Sequence, residues 1–255
     1  MTEPRRSQLE WLAHDLDIMR PLLEGSDVFP RLSDTSDNPT HALRLVAADL
    51  TWQIWTHVVG ASVLLQRRLR APLIVVQRAC FEGIISLSYL VSRSNAKEEA
   101  QIFLAHSFLR EIQTFSDESE FVGERRRNLA NIPSSLVTVA ERRLSNRPHT
   151  WSGQTFKRMA ELGHVAGYDD GYRYMCGEAH VSVIGGHVRV LDREDGGVRI
   201  MTGAECPDSE VEAHANFARR NLHSAFRLLW QAVEAGPVQV PTEDPADWLA
   251  GPNAV

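Results

Sequence analysis

Arg173 and His180 stand seven positions apart in the stretch GYDDGYRYMCGEAHVSV, residues 167–183. Seven residues of α-helix turn through about 700°, so two such side chains fall within roughly 20° of each other and about 10 Å apart along the axis. Gly177 lies between them on the same face, where it costs on the order of 1 kcal/mol against alanine and leaves bare backbone. A guanidinium and an imidazole with room between them suit a phosphodiester. The imidazole takes a proton from a ribose hydroxyl near neutral pH, the guanidinium holds the phosphate and its developing charge, and no metal is required. Tyr172, Tyr174 and Glu178 flank the pair and are expected to support it. Tyr172, Met175, Cys176, Ala179 and Val183 form the adjacent face, which is expected to dock into the protein. The competing reading is structural: His180 caps a junction, and Arg173 pairs with Asp169 or Asp170.

A second polar pair, Arg78 and Glu82, is spaced i,i+4 inside the most apolar segment of the chain. Charges in such a helix are seldom left alone, because an unpaired buried charge is expensive. They are expected either to fix helix register or to support the site around His180. Glu82, Glu178, His180 and His106 make a conceivable metal set. Glu178 and His180 lack the Glu-x-x-His spacing of helical di-iron sites, and no second copy of that motif exists, so neither a metal nor another cofactor is expected. The other histidines show no ligand spacing. Arginine clusters at Arg67-Arg68-Arg70, Arg125-Arg126-Arg127, Arg142-Arg143-Arg147 and Arg219-Arg220 read as solvated helix ends or faces, while leaving RNA contact open. No phosphate-cradling glycine loop, nucleophile elbow or dinucleotide fingerprint is present.

The elements that must position these residues are mostly helical. Apolar spacing predicts helices over about 4–24, 41–70, 73–93, 96–116, from 118 toward Pro133, 134–145, 153–163, 169–183 and 208–235. In the second, Leu45, Ala48, Trp52, Trp55, Val59 and Leu64 mark the stripe, and Ala71-Pro72 breaks the helix. The third, apolar on most faces, is expected at the centre. Ser152 is the expected N-cap of the short seventh helix. The stretch HVRVLDREDGGVRIMT alternates around Asp-Gly-Gly and predicts a β-hairpin at about 187–202. The expected fold is all-α: a multi-helix bundle with one small β-hairpin before its last helix. It forms a single domain over 1–236, followed by a loose Pro-rich tail over 237–255.

The totals agree with that. The chain has 255 residues, 43% of them hydrophobic and 24% charged, which suffices for a substantial core. A formal net charge of −6 makes any polyanion contact a local matter. Three cysteines far apart and odd in number argue against a disulfide framework or a CxxC metal site. The N-terminus turns amphipathic at once, and the longest apolar runs are short of the ~20 residues of a span. A cytoplasmic protein with no membrane segment is expected.

The helix carrying Arg78 to Glu82, followed by SLSYLV, and the later helix YRYMCGEAH, followed by a hairpin and a last helix, together resemble a bacterial family, the domain-of-unknown-function 5677 family, over roughly residues 40–235. Where that family is expected to place a serine, this chain has Cys176 and Gly177. The Arg173-to-His180 pattern, with six intervening residues, is also similar to HEPN-type helical domains, which are commonly metal-independent ribonucleases of toxin or phage-defence systems. The resemblance implies a homodimer whose motifs meet across the interface, RNA as substrate, an antitoxin or other partner protein, Arg173 on the phosphate and His180 as base or acid. Tyr174 stands where HEPN motifs usually have a polar residue after the arginine. The alternative expectation is a non-catalytic helical module that binds a partner protein or a ligand.

Overall fold

The structure is a computed structural model that describes residues 6–24, 38–115, 119–146, 150–173, 175–176, 188–192, 198–202 and 206–233. The expected tail lies outside the described residues. The architecture is all-α. Its helices are α1 (Gln8–Glu24), α2 (Pro39–Gln66), α3 (Arg70–Val91), α4 (Ala96–Thr114), α5 (Glu120–Ala130), α6 (Ser134–Asn146), α7 (Phe156–Leu162) and α8 (Asp208–Ala232). The backbones of Val188–Asp192 and Val198–Thr202 run antiparallel, with Val188 opposite Thr202.

α2 and α3 form the centre. α2 packs against α3, α8, α4 and α1, and α3 packs also against α8 and α7. α5 and α6 cover the outer side of α4. α2 and α3 pack tightly at Gly83, where an added Cβ would meet Ile54 Cγ1 at 2.7 Å. α3 has the length and mean hydropathy of a membrane span, but 61% of that window is buried inside the protein. Its apolar character is thus what a helix covered on several sides requires.

Local chemistry sets the boundaries. Asn38 Oδ1 accepts from the backbone N–H groups of Thr40 and His41, and Pro39 follows it at the first helical position, where its missing N–H costs nothing. Pro72 does not break a helix as expected; it sits in the first turn of α3, where proline is tolerated. The break falls earlier, at Arg68, whose φ of 55° is left-handed. Ser152 is not the cap of α7. Thr155 is, accepting from Arg158 N at 3.2 Å, while the Ser152 hydroxyl holds Gln154 N in the preceding turn.

Two expectations about faces are also corrected. The buried stripe of α2 runs through Leu43, Val46, Leu50, Ile54, Val58 and Leu65, and Trp52 is 43% exposed, stacked on Trp55 at 5.2 Å. α2 is apolar on so many sides that its period does not select one; small and branched residues take the close contacts and the large indoles take the rim. Arg219 is no solvated face: its side chain is 2% exposed and bonds Asp15, which is fully buried, at 2.8 Å. His223 Nε2 lies 2.8 Å from the same carboxylate oxygen, and Gln8 Oε1 accepts from Arg219 at 2.7 Å. This network fastens α1 to α8.

Candidate functional site

The candidate site is built where the segment after α7 lies on α3. Gly167, with φ of 78°, turns the chain into a short π-helical turn over Tyr168–Tyr172, and Arg173 N bonds back to Tyr168 O. The start of the expected 169–183 helix is thus wider than an α-turn, a form that often appears at functional sites. Asp169 lies 3.8 Å from Lys157 on α7.

Tyr172 is the joint. Its side chain is buried, and its hydroxyl donates to Glu82 Oε1 at 2.7 Å. The same oxygen accepts from Arg78 Nε at 3.0 Å, and the Arg78 guanidinium lies over the Tyr172 ring at 5.8 Å. Tyr168 stacks on Tyr172 at 4.9 Å, while Phe81 and Phe156 pack around it at 6.2 and 6.0 Å. Phe81 in turn meets Phe217 of α8 at 5.8 Å, so the aromatic group is anchored in the bundle. Arg78 and Glu82 therefore form the expected i,i+4 pair, 27% and 28% exposed, and also reach the segment that carries Arg173.

Electrostatics follow the geometry. Burial, followed by the Glu82 hydrogen bond and charge, drives the Tyr172 hydroxyl far above its ordinary range, so it stays a donor. Burial works against the charge on Arg78, but the Glu82 and Tyr172 contacts outweigh it and hold Arg78 above its ordinary value. Tyr168 is raised by burial and by the Cys176 and Asp169 charges, with Arg173 pulling the other way. The fields of Arg173, Asp169 and Glu82 therefore meet at the Tyr168 hydroxyl.

Of the residues singled out from sequence, Arg78, Glu82 and Tyr172 are brought together, and Arg173 is exposed at the edge of their cluster. Met175 is buried and Cys176 half-buried, as expected of the docking face. Tyr174, Gly177, Glu178, Ala179, His180 and Val183 lie outside the described residues. His106 is buried in α4, where burial, Arg110 and Arg143 depress its pKa. Two neighbouring guanidiniums make that a poor place for a cation, and among the described residues no metal-ligand group contains His106 or Glu82. Tyr168 was missed in the sequence; its spacing of four from Tyr172 was the available signal.

The arginine clusters are largely engaged. Arg68 bonds Asp208, Arg70 bonds Glu210 at 3.1 Å, and Arg125 bonds Glu111 at 2.6 Å. Arg143 grips the buried Glu99 with two bonds of 2.7 and 3.0 Å.

The sequence model of a family of unknown function (DUF5677) matches residues 53–198, more than half of the chain. The matched span contains α3, the π-turn and Arg173. No curated protein and no solved structure matches the chain.

Proposed function

We propose, from the premise that the chain belongs to the DUF5677 family, that its surface at Arg173 cleaves RNA without a metal, in the manner of HEPN-type ribonucleases. In this reading His180 takes the proton of a ribose 2′-hydroxyl, and the oxygen attacks the adjacent phosphorus. Arg173 holds the phosphate oxygens as negative charge gathers on them. The P–O bond to the 5′-oxygen breaks, and a protonated imidazole returns a proton to that leaving oxygen. Arg78, Glu82 and Tyr172 position the segment rather than react. Tyr174 and Glu178 take a supporting role in this reading.

The observation that carries the reading is the exposed Arg173 beside a closed polar support. Tyr172, its chain neighbour, is pinned to Glu82 at 2.7 Å, and Glu82 to Arg78 at 3.0 Å. A guanidinium on a fixed backbone loses less freedom on meeting phosphate than one on a loose loop. The proposal extends to a cytoplasmic homodimer that brings two Arg173–His180 pairs together, with an antitoxin or other partner protein restraining it. It also takes 1–236 as one domain with a β-hairpin at about 187–202 before α8. The antiparallel register from Val188 opposite Thr202 to Asp192 opposite Val198 supports that hairpin.

A second reading, a non-catalytic module that binds a partner protein or ligand, has one observation in its favour. The Arg78–Glu82–Tyr172 bonds close on one another, which is also what a purely structural tie requires. Cleavage of labelled RNA in excess chelator separates the two. The ribonuclease reading expects cleavage that Arg173→Ala and His180→Ala each reduce by about 100-fold or more, with folding intact. Wild-type cleavage by both folded variants, or no cleavage by the parent protein over a broad RNA pool, overturns it.

A further inference from the structure

Cys206, Glu210 and His214 are spaced four apart across the start of α8. That spacing returns side chains to nearly the same face at each turn. One donor atom from each lies within 4.8 Å of the others: a thiol sulfur, a carboxylate oxygen and an imidazole nitrogen. Cys206 Sγ is 3.9 Å from Glu210 Oε2. A tetrahedral zinc site with bonds of about 2.0–2.3 Å sets its donors roughly 3.3–3.8 Å apart. Closing the group therefore takes shifts of about 1 Å or less, within the reach of side-chain rotation.

Each donor is already held from outside. Cys206 N–H donates at 3.2 Å to the carbonyl of Arg68, the left-handed residue of the α2–α3 turn. Gln77 of α3, 2% exposed, binds His214 twice: its amide donates to His214 O at 3.0 Å, and its Oε1 lies 2.7 Å from Nδ1. An amide oxygen only accepts, so Nδ1 carries the proton and Nε2 keeps the lone pair. Outer hydrogen bonds of this kind orient metal-binding histidines. Arg70 Nε holds Glu210 Oε2, the oxygen 3.9 Å from Cys206 Sγ, at 3.1 Å and so fixes the carboxylate beside the thiol.

We propose that Cys206, Glu210 and His214 bind one divalent cation of the zinc class, with the fourth position left to water or an added ligand. A thiolate with an imidazole selects zinc or cobalt over magnesium or calcium. The thiolate and carboxylate together balance the two charges of the ion. Arg70 and the N-terminal dipole of α8 oppose a cation, so the sulfur bond carries the affinity. The ion fastens Cys206, whose backbone bonds the Arg68 carbonyl of the α2–α3 turn, to the first turns of α8. These residues are separate from Arg173 and His180, and the two proposals stand or fall independently.

The test is a cobalt(II) titration of the full chain after chelation, followed by zinc competition. The expected result is one cobalt per chain with tetrahedral visible absorption and a thiolate-to-cobalt charge-transfer band, both displaced by zinc. Cys206→Ser removes the charge-transfer band and weakens zinc binding at least about tenfold, whereas Cys176→Ser changes neither. Gln77→Ala, which leaves all three ligands in place, weakens zinc about 10–100-fold. Absence of saturable cobalt binding by the parent chain, or a charge-transfer band that survives Cys206→Ser, overturns the site.

Discussion

Replacing Tyr172 with phenylalanine isolates the bond on which the candidate site rests. The ring remains, and with it the packing on Phe81, Phe156 and Tyr168; the hydroxyl is lost, with its 2.7 Å hydrogen bond to Glu82 and its contacts with Arg78 and Cys176. A hydrogen bond to a charged partner contributes about 1.5–3 kcal/mol. Glu82 is 28% exposed and keeps Arg78, so water re-solvates part of the carboxylate and the lower end applies, about 1.5 kcal/mol. Tyr172→Ala removes the ring as well, at about 3–5 kcal/mol. Urea unfolding of Tyr172→Phe, Glu82→Ala and the double variant measures the term directly. A coupling energy of about 1 kcal/mol is expected, since the second substitution finds the bond already gone. Under the ribonuclease reading, Tyr172→Phe also lowers RNA cleavage, because the backbone that carries Arg173 loosens. Additive single substitutions, with coupling within about 0.3 kcal/mol of zero, would show that the bond does not hold the segment and would refute the positioning argument.

Other perturbations test the frame. Asp15→Ala removes the carboxylate that balances the buried Arg219 charge and is expected to cost about 3–5 kcal/mol in urea unfolding. Burial works to raise the pKa of Asp15, but the His223 and Arg219 contacts outweigh it and hold it below 3.8. Its contribution is therefore fully present above about pH 3.8 and is lost as pH falls through the lower folded value, an acid limb that Asp15→Asn should flatten. His106, depressed below 6.5 by burial, Arg110 and Arg143, takes up a proton less readily in the folded chain than in the unfolded one. The unfolded chain takes up its proton first, so stability declines as pH drops below about 6.5, and His106→Gln should reduce that slope. Gly163→Ala places a Cβ 2.8 Å from Tyr89 N and 3.0 Å from Ser88 C, backbone atoms of α3 that cannot turn aside. A loss of about 1–3 kcal/mol, together with the Ser88-to-Gly163 hydrogen bond of 2.7 Å, is expected by thermal unfolding.

What the sequence made legible follows from range. Helix order was readable because each helix carries its own apolar period and its own stop signals. The Arg78–Glu82 pair was readable for the same reason, since both partners lie on one helix four positions apart. The bond from Tyr172 to Glu82 spans 90 positions and leaves no local mark. Arg219 and Asp15 are 204 positions apart; an Arg-Arg pair on a polar-looking helix gives no sign that one guanidinium is buried. The α2 face was misread because a helix covered from several sides has no single stripe. The left-handed turn at Arg68 was hidden because arginine carries none of the glycine or asparagine signature of that conformation.

The candidate site is framed by helices from both ends of the chain, although the family match spans only 53–198. α8 buries Val211, Leu222, Phe226, Leu228 and Leu229. At about 1.5–3 kcal/mol for each large apolar side chain, these five contribute roughly 8–15 kcal/mol. That is comparable to the whole net stability of an ordinary domain, about 5–15 kcal/mol. α8 also reaches the site directly. Phe217 meets Phe81, which packs on Tyr172, and His214 holds Gln77, the neighbour of Arg78 on α3. α1 enters through Asp15, whose carboxylate neutralises a guanidinium that α8 has buried. α3 is thus held from one side by the Tyr168–Tyr172 turn and from the other by α8, and a change on either side shifts the backbone under Arg78 and Glu82. Differences in α8 between members of the family should accordingly alter how firmly the Arg173 segment is seated, even where the matched span is unchanged.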